Sequence, residues 1–201
     1  MFDSQLRDVK EFVFVRLVRA FRLRQIPPLW FTAVSFLFGV LAGLALWQQQ
    51  FGLGFLFWVL NRVFDGLDGT IARDNNVQTD FGGYADILAD FVSYAVIPVG
   101  LAAGRPSTAG WHALAFLLTT FYVNAASWMY LAAILEKRQV VGRDRTTIVM
   151  PKGIIGGGET ILFYSVFILF FGWFIPLFWL MGVLVLATVL QRLVWAYHKL
   201  D

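Results

Sequence analysis

Apolar residues run almost unbroken along this chain, and the polar positions that interrupt them gather into a few short clusters. Six stretches stand between those clusters: 27–47, 52–71, 81–101, 111–135, 154–174 and 176–195. Each is near the roughly 20 residues that a helix needs to cross a bilayer. Proline mostly marks their edges, at Pro27, Pro28, Pro106, Pro151 and Pro176. Ahead of them, Arg16, Arg19 and Arg22 recur at helical spacing while Val9, Val13, Leu17 and Phe21 recur every four residues on another face. That pattern predicts an amphipathic helix lying along the membrane interface in residues 1–26. It is not a signal peptide, because its charges are spread throughout and no small-residue cleavage site follows an apolar core. The predicted fold is an all-α membrane protein: an interfacial helix over residues 1–26 followed by six transmembrane helices that form one domain over residues 27–201.

Composition narrows the class further. The chain is 59% hydrophobic and 14% charged, against about 45–50% and about 25% in ordinary soluble domains. A single soluble core of this size cannot take in helices that are apolar all round. The absence of cysteine excludes a disulfide framework, a thiolate metal site and a thiol nucleophile, and leaves the redox compartment open.

The basic residues set the topology. Arg7, Lys10, Arg16, Arg19, Arg22 and Arg24 precede the first span, and Arg62 and Arg73 lie toward the far end of the second. Lys137, Arg138, Arg143, Arg145 and Lys152 link the fourth and fifth, while Arg192 and Lys199 close the chain. With six spans all of these fall on one side and only Arg105 on the other, so the positive-inside rule puts both termini in the cytoplasm. The net charge of +3 then reflects topology and attraction to anionic lipid, not nucleic-acid binding.

Against this background the segment from Phe64 to Phe91 is anomalous, because it holds Asp65, Asp68, Asp74, Asp80, Asp86 and Asp90. Carboxylates in a bilayer face one another, a cavity or a metal. Asp65 and Asp68 are three apart and share a helical face; Gly82, Asp86 and Asp90, spaced by four, form one stripe. The short intervening turn predicts that the two helices are antiparallel neighbours whose four acids, Asp65, Asp68, Asp86 and Asp90, converge on a cytoplasmic-facing pocket. Such a group needs cations, and oxygen-only donors favour Mg²⁺, Mn²⁺ or Ca²⁺ over zinc. Gly66, Gly69, Gly82 and Gly83 let a ligand approach the backbone, and Arg73 offers a planar fork to phosphate. An ion-conducting vestibule, or a packing network with Arg62 and Arg73, would suit the same acids.

The stretch reads Asp65-x₂-Asp68-Gly69-x₂-Ala72-Arg73-x₈-Gly82-x₃-Asp86-x₃-Asp90, and it resembles, without a gap, the signature of the CDP-alcohol phosphotransferase family. Eight specified positions at fixed spacing carry the likeness, and the six-span layout and chain length fit it. The resemblance implies transfer of a substituted phosphate from a CDP-linked donor, usually CDP-diacylglycerol, to an acceptor hydroxyl with release of CMP. It further implies that Asp65, Asp68 and Asp86 hold two Mg²⁺ or Mn²⁺ ions on the donor diphosphate. Asp90 would complete the metal shell and act as base, and Gly69, Ala72, Arg73 and Gly82 would shape the CDP site. A homodimer is implied as well. Many relatives carry Pro-Asn-x-x-Thr in the first span, whereas this chain has Pro28-Leu29-Trp30-Phe31-Thr32. Thr32 is accordingly read as a hydroxyl bonded to its own helix, with the nucleotide pocket as the alternative.

Acceptor recognition has two candidate places. Arg138, Arg143, Arg145 and Lys152, with Lys137, would bind a phosphorylated alcohol such as glycerol 3-phosphate, although topology alone also accounts for them. Glu159, after Gly156, Gly157 and Gly158, would recognise an acceptor hydroxyl or amine, or pair with an arginine. His112 and His198 lie near span ends without metal-ligand company and are read as interfacial. The competing functions are an intramembrane Mg²⁺-dependent prenyltransferase, whose members are longer, with more spans and a different acid spacing, and a cation channel or transporter, against which Gly69, Ala72 and Arg73 favour a nucleotide site.

Overall fold

The computed structural model describes residues 25–141 and 153–200. The expected interfacial helix of residues 1–26 lies almost wholly outside them, as do Arg143, Arg145 and Lys152. The described residues form six α-helices: α1 (Pro28–Trp47), α2 (Phe51–Asp74), α3 (Asp80–Gly104), α4 (Thr108–Val141), α5 (Gly157–Leu169) and α6 (Phe174–Leu200). A 3₁₀ turn, Phe171–Trp173, leads into α6. Among the described residues there is no strand.

Four segments are long and apolar enough to cross a membrane, namely Pro28–Trp47, Asp80–Gly104, Thr108–Arg138 and Phe171–Leu200, and Gly157–Leu169 is a shorter apolar helix. Phe51–Asp74 has the length but carries Arg62, Asp65, Asp68, Arg73 and Asp74. The acids do not interrupt it, since α2 runs helically past Asp65 and Asp68 to Asp74. The fifth stretch is shorter than its apolar run suggests, ending at Leu169 before the 3₁₀ turn. Pro176 sits in the first turn of α6, where its missing N–H forfeits nothing. Pro98 is the exception to edge placement, buried within α3.

The described residues pack as two compact units. One comprises the residues up to Pro106 with Ile168–Phe171, the other Ser107–Phe167 with Gly172–Asp201. In the first, α1 is the central element, and close backbone contact is made by α1 with α2 and with α3 rather than by α2 with α3. Side chains carry α2 against α3, as expected of antiparallel neighbours, with Arg62 of α2 bonded to Tyr94 and Asp90 of α3. Toward α2, α1 presents Phe31 and Phe38, which stack on Phe64 and Phe57 and close over buried Leu67 and Ile71. Toward α3 it presents glycine: a Cβ at Gly43 would lie 2.7 Å from the Val96 carbonyl oxygen, and one at Gly100 would collide with the carbonyl of Gly43. Small residues let the two backbones touch, the usual means of helix association where apolar burial gives no net drive. The second unit pairs α4 with α6. There Phe116 stacks on Trp179 against Gly182, and Tyr164 and Phe167 of α5 pack with Phe178 of α6.

Candidate functional site

The site lies within the first unit, where α2 ends and α3 begins. Asn75 closes α2, and Asn76 takes the left-handed conformation at φ 54°, which asparagine tolerates. The Val77 N–H returns to the Ala72 carbonyl at 3.0 Å, so the carbonyls left over at the helix end are satisfied and the chain reverses. Thr79 then caps α3, its hydroxyl accepting from the Gly82 N–H at 3.0 Å. These two local devices bring the acid-bearing ends of α2 and α3 to one end of the unit.

Between them lies a cavity of about 420 Å³. Its polar wall is Thr32, Asp68, Arg73 and Asp86, and its small-residue wall is Gly69, Ala72, Gly82 and Gly83. Pro27, Pro28, Leu29, Val77 and Phe81 give it an apolar border. The site residues expected from sequence at Asp68, Gly69, Ala72, Arg73, Gly82 and Asp86 thus share one cavity. Asp65 and Asp90 are not on its wall.

The four carboxylates are near one another without meeting at a point. Asp86 is within hydrogen-bonding reach of Asp65 and within electrostatic range of Asp90, while Asp68 feels both Asp86 and Asp65. Among the described residues, no three acidic or imidazole side chains stand in ligand range of a common centre. Three of the four have partners of their own. The Thr32 hydroxyl donates to Asp68 Oδ2 at 2.7 Å, so Thr32 is bonded across helices and not to its own. Arg62 Nη2 donates to Asp90 Oδ1 at 2.7 Å, and Arg62 Nη1 lies 3.6 Å from Asp65 Oδ2.

Arg62 is a site residue that sequence reasoning placed only in a possible packing network. It is 9% exposed, and its guanidinium is engaged on every nitrogen. Nε donates to Asn61 Oδ1 at 2.7 Å, Nη1 to the Tyr94 hydroxyl at 3.1 Å and Nη2 to Asp90. The group also lies 4.8 Å from the Trp58 ring centre and 5.3 Å from that of Tyr94. Asn61, fully buried, donates in turn to the Ser35 carbonyl at 2.8 Å and approaches the Ser93 hydroxyl at 3.4 Å. An arginine this deep in an apolar chain needs such company, and its fourth-residue spacing from Trp58 was the available clue.

Glycine acts here in one specific way. A Cβ at Gly69 would lie 3.1 Å from Arg73 Nη1, so the bare backbone makes room for the Arg73 guanidinium beside the cavity. Glu159 and Arg138 have local roles. The Glu159 carboxylate accepts from the Gly156 N–H at 3.0 Å at the start of α5. Arg138 donates to the carbonyls of Lys199 and Leu200 at the end of α6. Each meets backbone groups that a helix end leaves over. Arg192, buried on α6, donates to Asn124 Oδ1 at 3.1 Å and to the Ser127 hydroxyl at 3.3 Å.

The donor set fits hard divalent cations. It is oxygen throughout, there is no cysteine, and the close approach of Asp65 to Asp86 sets two like-charged groups where a shared cation would relieve their repulsion.

The family model described as CDP-alcohol phosphatidyltransferase matches residues 25–195. Inner membrane protein YnjF of Escherichia coli is 33% identical over 202 residues, covering 98% of this chain and 95% of that protein. A CDP-diacylglycerol–serine O-phosphatidyltransferase of Helicobacter pylori is 37% identical over 71 residues, 35% of this chain and 30% of the other. Among solved structures, phosphatidylinositol phosphate synthase of Mycobacterium tuberculosis, crystallised with CDP-DAG bound, superposes with a TM-score of 0.61 over 92% of both chains at 19% identity. At that identity the likeness is one of fold.

Proposed function

The chain belongs to the CDP-alcohol phosphatidyltransferase family, multi-pass membrane transferases of phospholipid synthesis, and we propose that it transfers the phosphatidyl group of CDP-diacylglycerol to a small polar or phosphorylated alcohol. Membership in that family sets aside the prenyltransferase and the channel. The observation that carries the proposal is the single cavity onto which Asp68, Gly69, Ala72, Arg73, Gly82 and Asp86 all open, bordered by apolar residues suited to a lipid donor. The solved relative with CDP-DAG bound supports the choice of donor.

In the proposed reaction an acceptor oxygen forms a bond to the donor's lipid-bearing phosphorus, the bond from that phosphorus to CMP breaks, and Asp90 takes the acceptor proton. Two Mg²⁺ or Mn²⁺ ions, held by Asp65, Asp68 and Asp86 with Asp90 completing the shell, would neutralise charge on the diphosphate as CMP departs. Arg73 binds phosphate oxygens, while Gly69, Ala72 and Gly82 leave space for the nucleotide. The full reading has six spans, with α2 and α5 as the second and fifth, and both termini and the site in the cytoplasm, where a water-soluble acceptor meets the lipid donor. Glycerol 3-phosphate is the first acceptor to try, because of the basic loop at residues 137–152, and a homodimer belongs to the same reading.

The test is CMP release from CDP-diacylglycerol by the purified protein across glycerol 3-phosphate, serine, an inositol phosphate, choline and phosphatidylglycerol. The expected result is release that needs Mg²⁺ or Mn²⁺, requires one acceptor and is lost in Asp90→Asn. Absence of any CDP binding would remove the proposal.

A further inference from the structure

We propose that Gln78, in the turn between α2 and α3, reads the hydrogen-bonding edge of the donor's cytosine, supplying from that turn a carboxamide that many relatives carry in the first span. The inference rests on the reading of the cavity as a CDP site, and it names a residue that the acidic signature leaves unspecified.

Exposure grades the cavity from one end to the other. Thr32 and Asp68 are buried at its inner end, whereas Val77, Gln78 and Phe81 are exposed at its rim. Along α2 the wall climbs from Asp68 through Gly69 and Ala72 to Arg73, about 7.5 Å of helix at 1.5 Å per residue. A diphosphate placed between Asp68 and Asp86, with Arg73 beside it, therefore leaves its nucleoside to extend toward the turn. The start of α3 is bare enough for a flat ring. A Cβ at Gly83 would meet nothing within 4 Å, and one at Gly82 would meet only the capping Thr79 hydroxyl.

Among the described residues that line the cavity, Gln78 alone bears a side-chain amide. It is held between two helix ends, since the Val77 N–H is bonded to the Ala72 carbonyl and Thr79 caps α3. Its own carboxamide has no hydrogen-bond partner among the described residues. A carboxamide sets an acceptor and a donor side by side in one plane. Cytosine does the same with its N4–H and N3, so Gln78 Oε1 accepts from N4–H while Nε2 donates to N3, the pairing by which glutamine reads the matching edge of adenine. On α1, Leu29 lines the same cavity at the position where many relatives have asparagine, and its side chain has no polar atom. The amide missing from α1 is thus present in the turn.

The experiment measures dissociation constants by calorimetry on the detergent-solubilised protein with Mn²⁺ present. The ligands are CDP, ribose 5-diphosphate, which lacks the base, and N4,N4-dimethylcytidine diphosphate, which lacks the N4–H. An amide turned over meets uracil as well, so the dimethyl compound and not UDP is the discriminating ligand. The proteins are wild type, Gln78→Ala, and Gln78→Ala combined with Leu29→Asn. Gln78 is exposed, so its truncation leaves the fold intact, and the Mn²⁺ midpoint measured alongside reports on the acids.

Gln78→Ala is expected to weaken CDP at least about fivefold, the loss of two modest hydrogen bonds. Ribose 5-diphosphate and the Mn²⁺ midpoint stay within about twofold of wild type. The dimethyl compound binds wild type about as weakly as CDP binds Gln78→Ala, and the penalty for its two methyl groups disappears in that variant. Leu29→Asn recovers most of the lost CDP affinity. Equal CDP affinity in wild type and Gln78→Ala overturns the inference. So does an equal loss of CDP and ribose 5-diphosphate, a shift of the Mn²⁺ midpoint in step with CDP, or a methyl penalty of the same size in both proteins. Absence of recovery with Leu29→Asn overturns the exchange of positions. Failure of wild type to bind either CDP or ribose 5-diphosphate is a separate outcome, which removes the reading of the cavity as a CDP site and the inference with it.

Discussion

Thr32 shows how much one hydroxyl can matter at this site. Its donation to Asp68 at 2.7 Å is made by a residue 6% exposed to one 5% exposed. Hydrogen bonds to charged groups are worth about 1.5–3 kcal/mol, and losing a partner that orients a metal ligand typically costs about 10- to 100-fold in metal affinity. Thr32→Val is therefore expected to raise the Mn²⁺ midpoint at least about tenfold, with Thr32→Ser close to wild type; equal midpoints in all three proteins would contradict it. The motif from Asp65 to Asp90 was legible in the sequence because its spacing is set by one helical repeat within each helix. The partnerships of Thr32 with Asp68 and of Arg62 with Asp90 span 36 and 28 positions of chain, and no local periodicity encodes which distant polar groups will meet.

At the scale of elements, the first unit depends on helices of different thickness. α1 meets α2 through stacked phenylalanines and meets α3 through bare backbone. Gly100→Ala is expected to destabilise the protein by about 1–3 kcal/mol, because its methyl must displace the backbone carbonyl of Gly43, which cannot rotate aside. Gly52→Ala, with open space around its Cβ, is expected to be neutral or to stabilise by up to about 1 kcal/mol through helix propensity. Thermal unfolding of the two variants in the same detergent checks the contrast, and equal transition temperatures would remove it. The six helices were readable from apolar runs, which report length and environment directly. The placing of Asp65 and Asp68 on one face of α2 was readable too, from their three-residue spacing, whereas the cavity that receives Asp68 is built with residues of α1 and α3 and appears only in the fold. The early end of α5 was hidden: apolar residues continue through the 3₁₀ turn, so hydropathy does not register the break.

For the whole molecule, the prediction concerns sidedness. The chain has no cysteine, so single cysteines can be introduced one at a time and labelled from either face of sealed membrane vesicles. Cysteines at Lys199 and Asn76 are expected to react only from the cytoplasmic face and one at Ser107 only from the opposite face; labelling of Asn76 and Ser107 from the same side would overturn the topology. The sequence by itself determined the membrane environment and the helical class through composition, and the residues of the acidic motif through spacing along single helices, while the enzyme family came from the likeness of that motif to a known signature. Tertiary structure alone decided that α1 packs closely on both α2 and α3, that the cavity takes Asp68 and Asp86 but not Asp65 and Asp90, and that Arg62 holds Asp90. The physical reason is that a helix fixes the direction of its own side chains, whereas the partner of a buried charge is chosen by the packing of other helices around it.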